Sequence, residues 1–248
     1  MRMDIHNSEI PVLCLACKAR HGGICGALEP DQLLRLGRQA GRREVAPGTE
    51  LIAAGIRIDG YANILSGIVK LTKLLPDGRQ QIVGLQFAPD FLGRPFAESS
   101  DVSAEAASTV RLCLFPRSAL EEMVRQSPGL EHRLHEQALR ELDDAREWMM
   151  ILGQKTAGEK VASFLLLLGR HVDPYAAGFS DTFEIPLRRA DIADFLGLTI
   201  ETVSRQISHL RKGGVITLQK NRSVTVYDIS AYTAAYTPTF PHLPCAPP

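Results

Sequence analysis

Between positions 45 and 115 the chain alternates short apolar runs with turns. The runs are Leu51-Ile52, Tyr61–Leu65, Ile68–Leu75, Gln81–Phe87 and Val110–Phe115, punctuated by Gly48, Gly55, Gly60, Gly67, Gly78, Gly84 and Gly93. Short strands bounded by glycine are the pattern of an antiparallel sheet, and Asp77-Gly78 between two of the runs predicts a hairpin. The segment therefore predicts a small antiparallel β-roll or jelly roll. Beyond it the period changes. Ser118 opens a helix that Ser127-Pro128-Gly129 interrupts, and a longer helix runs from there to about Leu152. Its apolar positions Leu130, Leu134, Ala138, Leu142, Ala145, Met149 and Leu152 recur at steps of three and four, a stripe close to a coiled-coil seam. Thr156–His171 predicts a further helix with Val161, Phe164, Leu165 and Leu168 inward. Ahead of the roll, Asp31–Gln39 predicts a brief amphipathic helix, and residues 1–28 form an arm with little helical or strand periodicity.

Near the C-terminus, Leu187–Ile216 reads as a helix-turn-helix. Ala193, Gly197 and Val203 supply a small residue at the helix crossing, a glycine in the turn and an apolar anchor on the second helix. Thr199 is placed to cap that second helix, and Glu201 in its first turn suits the helix dipole. Ile192, Leu196, Leu198, Val203, Ile207 and Leu210 form the expected core. Gly213-Gly214 followed by Val215–Leu218 and Val224–Tyr227 predicts a β-hairpin wing, Val224–Ile229 is the expected last strand, and the proline-rich residues 237–248 predict a disordered tail.

Composition sharpens this picture. The net charge is zero, so no global basic field announces nucleic acid, yet residues 187–222 carry a local excess of +4. Glu201, Ser204 and Arg205 stand at i, i+3 and i+4 of the second helix and project together. Arginine reads the guanine edge with two donors, and glutamate accepts from the cytosine amino group. An isolated Glu–Arg pair on a helix surface is worth only about a few tenths of a kcal/mol. On the second helix of a helix-turn-helix, base reading is the stronger expectation. Arg188, Arg189, Thr199, Thr202, Lys220 and Arg222 are the expected phosphate contacts, which position the protein without carrying sequence information. A two-fold reader gains from pairing, so Leu134, Ala138, Leu142, Ala145, Met149 and Leu152 are the expected dimer interface, although such a stripe could equally pack on its own β-domain.

Cysteine supplies the second chemistry. Cys14, Cys17 and Cys25 form C-x2-C-x7-C, Cys113 lies far downstream, and Gly22, Gly23 and Gly26 let the backbone around Cys25 fold tightly. No apolar run approaches the roughly 20 residues that cross a bilayer, and no signal peptide is evident, so a cytoplasmic location is expected. There a cysteine cluster is read as metal-binding or redox-active rather than as disulfides. A closed zinc site and a redox-active iron–sulfur cluster both take four thiolates. Read alone, Cys113 is equally a buried strand residue beside Leu112, Leu114 and Phe115. Cys245 is an incidental thiol in the tail. No nucleophile–base pair or phosphate loop is recognisable, so an enzyme is not expected. Metal ligands joined to a DNA reader imply a regulator that senses something through its metal.

With these residues in view, the chain resembles the Crp/Fnr superfamily of transcription regulators, and within it the FNR/FnrL branch of oxygen sensors. The resemblance rests on Cys14-x2-Cys17-x7-Cys25, on Cys113, on Glu141-Leu142-Asp143-Asp144-Ala145-Arg146-Glu147-Trp148-Met149 and on Leu196–Arg205, which carries an E-x2-S-R recognition motif. It implies an α+β chain: a cysteine-rich cluster-binding arm at 1–28, a β-roll sensor domain at 29–117 and a dimerisation helix region at 118–153. A winged helix-turn-helix at 154–236 and the tail at 237–248 follow. It also implies an oxygen-labile [4Fe-4S] cluster on Cys14, Cys17, Cys25 and Cys113. The implied homodimer binds double-stranded DNA at a palindrome of TTGAT-type half-sites, read by Glu201, Ser204 and Arg205, and acts with RNA polymerase. A structural zinc, or no metal and another signal, is the alternative. One departure is informative: cyclic-nucleotide-binding relatives keep a Gly-Glu pair and an Arg-Ser or Arg-Thr pair, where this chain has Gly93-Arg94 and Val102-Ser103. A cyclic nucleotide is therefore not an expected ligand.

Overall fold

The computed structural model describes residues 11–15, 17–171, 181–219 and 223–227. The chain divides into two compact units, 1–146 and 147–248.

In the first unit, three short elements form the arm: α1 (Val12–Leu15), α2 (Ala19–Gly22) and a 3-10 turn over Ile24–Ala27. Too short to show a period in the sequence, they replace the irregular arm expected there. Helix α3 (Pro30–Gln39) follows, with proline at its first position and the Gln32 side chain accepting from the Glu29 N–H at 3.1 Å. The strands are β1 (Gly41–Val45), β2 (Glu50–Ile52), β3 (Gly60–Ser66), β4 (Ile68–Leu74), β5 (Gln80–Phe87), β6 (Phe91–Leu92), β7 (Ser103–Ala106) and β8 (Val110–Pro116). They form two antiparallel sheets, in the orders β1-β8-β3-β6 and β2-β7-β4-β5. The expected hairpin is β4–β5, with Leu74 opposite Gln80. Its loop is longer than a two-residue Asp-Gly turn, closing through a Leu75 N–H to Arg79 carbonyl bond of 2.8 Å.

Strand alternation gives the first sheet two buried faces. Val45, Ala62, Ile64, Leu92, Val110 and Leu112 face the second sheet and meet Val69, Ala104 and Ala106 in the sandwich core. The intervening residues Tyr61, Phe91, Cys113 and Phe115 face the other way, into a second cluster with Ile24, Leu36, Ile58, Leu120, Met123, Val124 and Leu130. That cluster joins the arm, α3, the sheet, α4 (Arg117–Gln126) and the first turn of α5 (Pro128–Gln154). The Glu121 carboxylate fastens α4 to the sheet, accepting from the Tyr61 hydroxyl at 2.6 Å and the Phe96 N–H at 3.1 Å while pairing with Arg117 at 3.0 Å.

The second unit contains α6 (Ala157–His171), α7 (Arg189–Leu196), α8 (Ile200–Lys212) and a three-stranded sheet in the order β10-β11-β9, from β9 (Thr182–Glu184), β10 (Ile216–Gln219) and β11 (Ser223–Val226). Gly197 closes α7 in the left-handed region at φ +60°, a conformation glycine adopts without steric cost. Val161, Phe164, Leu165, Leu168, Ile192, Phe195, Leu196, Val203, Ile207 and Leu210 are buried, and Leu198 is half-buried. The Trp148 ring lies 4.5 Å from that of Phe195. The expected tail at 237–248, the wing tip and the end of the expected last strand lie outside the described residues. Among the described residues, no helix is long and apolar enough to cross a membrane.

Candidate cysteine centre and nucleic-acid interface

The fold brings the remote cysteine to the near ones. Cys14 is the third residue of α1, Cys17 follows that helix and Cys25 lies in the 3-10 turn. Cys113 sits in β8, opposite Arg42 in β1 and Asn63 in β3. Its face is the one away from the sandwich core, and both Cys113 and Cys25 pack against the cluster that contains Ile24 and Leu130. All four thiols are free and partly buried. Burial pushes the Cys113 thiol up to about 11, and the neighbouring Cys14 and Cys17 push it the same way. Burial raises Cys25 further, with Cys113, Cys14 and Cys17 adding to it and a hydrogen bond from Asn63 opposing it. Cys14 is raised by burial and then by Cys17, against Arg42 and Arg20. Four thiols that disfavour one another's charge occupy one neighbourhood.

The arm's glycines are close-approach positions. A Cβ at Gly22 would stand 2.8 Å from the Pro89 ring, and one at Gly26 would stand 2.8 Å from the His21 carbonyl oxygen. Gly129 in the first turn of α5 lies against the arm itself, since its Cβ would meet the Ala27 carbonyl oxygen at 3.2 Å.

The donor set fits a thiophilic metal centre. Four thiols with no disulfide partner would supply four negative ligands once deprotonated, and a bound cation would offset both the burial and the mutual repulsion that raise Cys14, Cys25 and Cys113. Among the described residues, no three His, Cys, Asp or Glu side chains are gathered in a geometry that holds a single metal ion. Asn63 and Arg42 were not expected here. Asn63 is a lone polar residue inside the apolar run Tyr61–Leu65, and that was the available signal.

In the second unit, Thr199 caps α8 as expected, its hydroxyl accepting from the Thr202 N–H at 3.2 Å. Val203, Ile207 and Leu210 are buried, which turns Glu201, Ser204 and Arg205 outward. The Glu201 backbone N–H and the Thr199 side chain hold the Glu201 carboxyl below its usual range, so it is an acceptor at neutral pH. Arg188 grips the buried Asp191 carboxylate through two nitrogens, at 3.0 and 3.2 Å, and its own N–H adds a third bond at the start of α7. Burial lowers the Arg189 guanidinium from its usual value. Thr202 exchanges a hydroxyl contact with Thr199 at 3.1 Å. Lys220 and Arg222 lie outside the described residues.

The expected interface stripe divides along α5. Leu134 is half-buried against the chain's own second core cluster, and Leu152 is half-buried. Ala138, Leu142, Ala145 and Met149 are exposed, as is Leu139, which the stripe omitted.

An α+β chain with a β-roll, a long helix and an outward-facing recognition helix defines a DNA-binding transcription regulator. The match is to regulators and not to enzymes: residues 159–231 match the Crp-like helix-turn-helix domain and residues 42–127 the cyclic nucleotide-binding domain. The chain belongs to the Crp/Fnr family. It is 54% identical to a probable transcriptional activator of Rhizobium leguminosarum bv. viciae, over 92% of this chain and 96% of the relative. It is 39% identical to the transcriptional activator protein FnrL of Cereibacter sphaeroides, over 92% and 94%. Among solved structures, FixK2 from Bradyrhizobium japonicum matches with a TM-score of 0.71 and 30% identity, covering 79% of this chain and 96% of that one.

Proposed function

We propose that the protein is an oxygen-responsive transcription regulator whose pairing, and hence DNA binding, depends on a [4Fe-4S] cluster held by Cys14, Cys17, Cys25 and Cys113. The observation that carries this reading is the shared second core cluster. It contains Ile24 and Cys25 of the arm, Cys113 of the sheet and Leu130 and Leu134 of α5. Whatever fixes the arm thereby bears on the helix with the exposed apolar stripe.

Magnitudes favour a metal-dependent arm. Fully burying Ile24 contributes about 1.5–3 kcal/mol, whereas ordering backbone costs about 1–2 kcal/mol per residue. One anchor therefore offsets only about one to three ordered residues. Thiolate bonds supply the missing hold, because metal binding to a site absent from the unfolded chain is itself folding free energy. When bound, the cluster supplies oxygen-labile redox chemistry. The chain's own part is to bring Cys113 under the arm, to seat Ile24, and to place Ala27 against Gly129 of α5. Release of the arm then loosens the start of α5 and weakens pairing. A monomer reads one half-site, so operator affinity falls steeply.

The operator is a palindrome of TTGAT-type half-sites, with Arg205 donating to guanine and Glu201 accepting from cytosine. The dimer works with RNA polymerase in the cytoplasm. A cyclic nucleotide is not the effector. Arg94 pairs with Asp101 at 3.6 Å, and Val102 offers no cation for a phosphate. Millimolar cyclic nucleotide should leave the Tm unchanged, and a rise of several degrees would contradict this.

The test is air-free purification with iron and acid-labile sulfide assays. The reading expects about four of each per chain and a brown colour that air bleaches. A colourless protein holding one zinc per chain, binding its site equally in air, refutes it.

A further inference from the structure

Asn63 is 2% exposed, in the middle of β3, on the face that meets the arm. It stands opposite Cys113 across one strand pair and opposite Phe91 across the other. Its side-chain amide donates to the Cys25 sulfur at 3.4 Å. Its own carbonyl oxygen, Oδ1, is buried without a hydrogen-bond partner. An amide in such a place destabilises the fold unless both its ends are satisfied, and here one end is not. Folding alone does not explain an asparagine where Leu or Val would fill the space.

We propose that Asn63 is a positioning residue for the thiolate set. It holds the Cys25 sulfur over the sheet beside Cys113, and it does so most strongly when Cys25 is an anionic ligand. This rests on the cluster reading above. The physical reason is the acceptor. A neutral thiol sulfur accepts weakly, whereas hydrogen bonds to an ionised acceptor are roughly twice as strong as neutral ones. The N–H of Asn63 thus keeps the Cys25 sulfur in place over the sheet, and its loss leaves that sulfur freer to move. Cys25 belongs to the arm and Asn63 to the strand paired with that of Cys113, so one hydrogen bond links the near ligands to the remote one. Such outer contacts orient ligands, and their loss commonly weakens metal retention about 10- to 100-fold.

Two variants separate this role from a packing role. N63L removes the donor and the orphaned carbonyl at similar volume; N63D keeps the shape and removes the donor. The first readout is the rate at which air-free, reconstituted protein loses iron to a chelator. The second is alkylation of the metal-free protein by iodoacetamide, resolved by mass spectrometry as Cys25 against Cys14. The expected result is iron loss at least about tenfold faster in both variants, with Cys25 alkylation several-fold faster relative to Cys14. The Tm of metal-free N63L should be equal to or above that of wild type. Wild-type iron loss and an unchanged alkylation pattern in either folded variant overturn the proposal, and N63D decides alone if N63L does not fold. Iron-free wild-type protein overturns the proposed function instead, and the alkylation pattern then decides the hold on Cys25 by itself.

Discussion

Thr199 has two partners at the start of α8: its hydroxyl accepts from the Thr202 N–H, and its side chain helps keep the Glu201 carboxyl ionised. T199A should therefore lower stability by about 1 kcal/mol, the usual value of an N-cap, read as a drop in Tm. Arg205 is exposed beside Glu201 and Ser204 on the same face. R205A should weaken binding to the palindrome by about 1–3 kcal/mol per half-site and relax the preference at the guanine it reads. Fluorescence anisotropy at fixed salt, with that base pair exchanged, measures both effects. Equal losses on the original and the exchanged site would assign Arg205 to phosphate instead. At this scale the sequence was informative where chemistry comes in clusters. Cysteine spacing and the E-x2-S-R motif stand out in one dimension. Asn63 does not, because its meaning depends on the arm folding back over a strand thirty-eight positions away from Cys25.

Along α5 the apolar stripe serves two surfaces in succession. Leu130 is fully buried and Leu134 half-buried in the chain's own core, whereas Leu139, Leu142 and Met149 are 51, 44 and 65% exposed. Three-four periodicity marks both stretches alike, and only the folded sheet separates them. A charge in the exposed stretch, as in L142D, should leave the fold intact and shift sedimentation of the air-free protein toward monomer. A dimer unchanged at micromolar concentration would remove this stretch from the interface. A second device ties α5 to the roll. Glu141 is exposed as a residue, yet its carboxyl accepts from Gln86 at 3.2 Å and Gln137 at 3.3 Å. Desolvation, then Asp90, push it up to about 7, and Asp144 adds to the repulsion. Burial pushes Asp90 itself up to about 6, with Asp144 raising it and the Phe87 N–H and Arg140 opposing. Both acids bind protons more tightly folded than unfolded. Their stabilisation is complete below the ordinary carboxylate range and is lost as pH rises through about 6 and 7. The Tm of wild type should fall over that window, and E141Q should flatten the fall; parallel profiles would contradict it. Other elements left little trace. In β1, four of five residues are exposed, so no alternation shows, and β9 is three residues long.

For the whole molecule, a net charge of zero conceals a basic reader. Local charge and a capped helix made that reader legible, as glycine-punctuated runs did the β-roll. The residues through which the arm meets the sheet and the start of α5 were not legible, because that core is shared by segments distant in sequence: Ile24, Cys113, Leu120 and Leu130. That core makes arm docking and the start of α5 one mechanical unit. Under the proposed function, a modest free-energy change at the thiols would be enough to shift a balanced monomer–dimer equilibrium. Sedimentation of the iron-loaded protein, before and after a measured exposure to air, tests this link most directly. The account predicts a dimer that becomes monomer in step with loss of iron; a mass that stays constant while the iron is lost would contradict it.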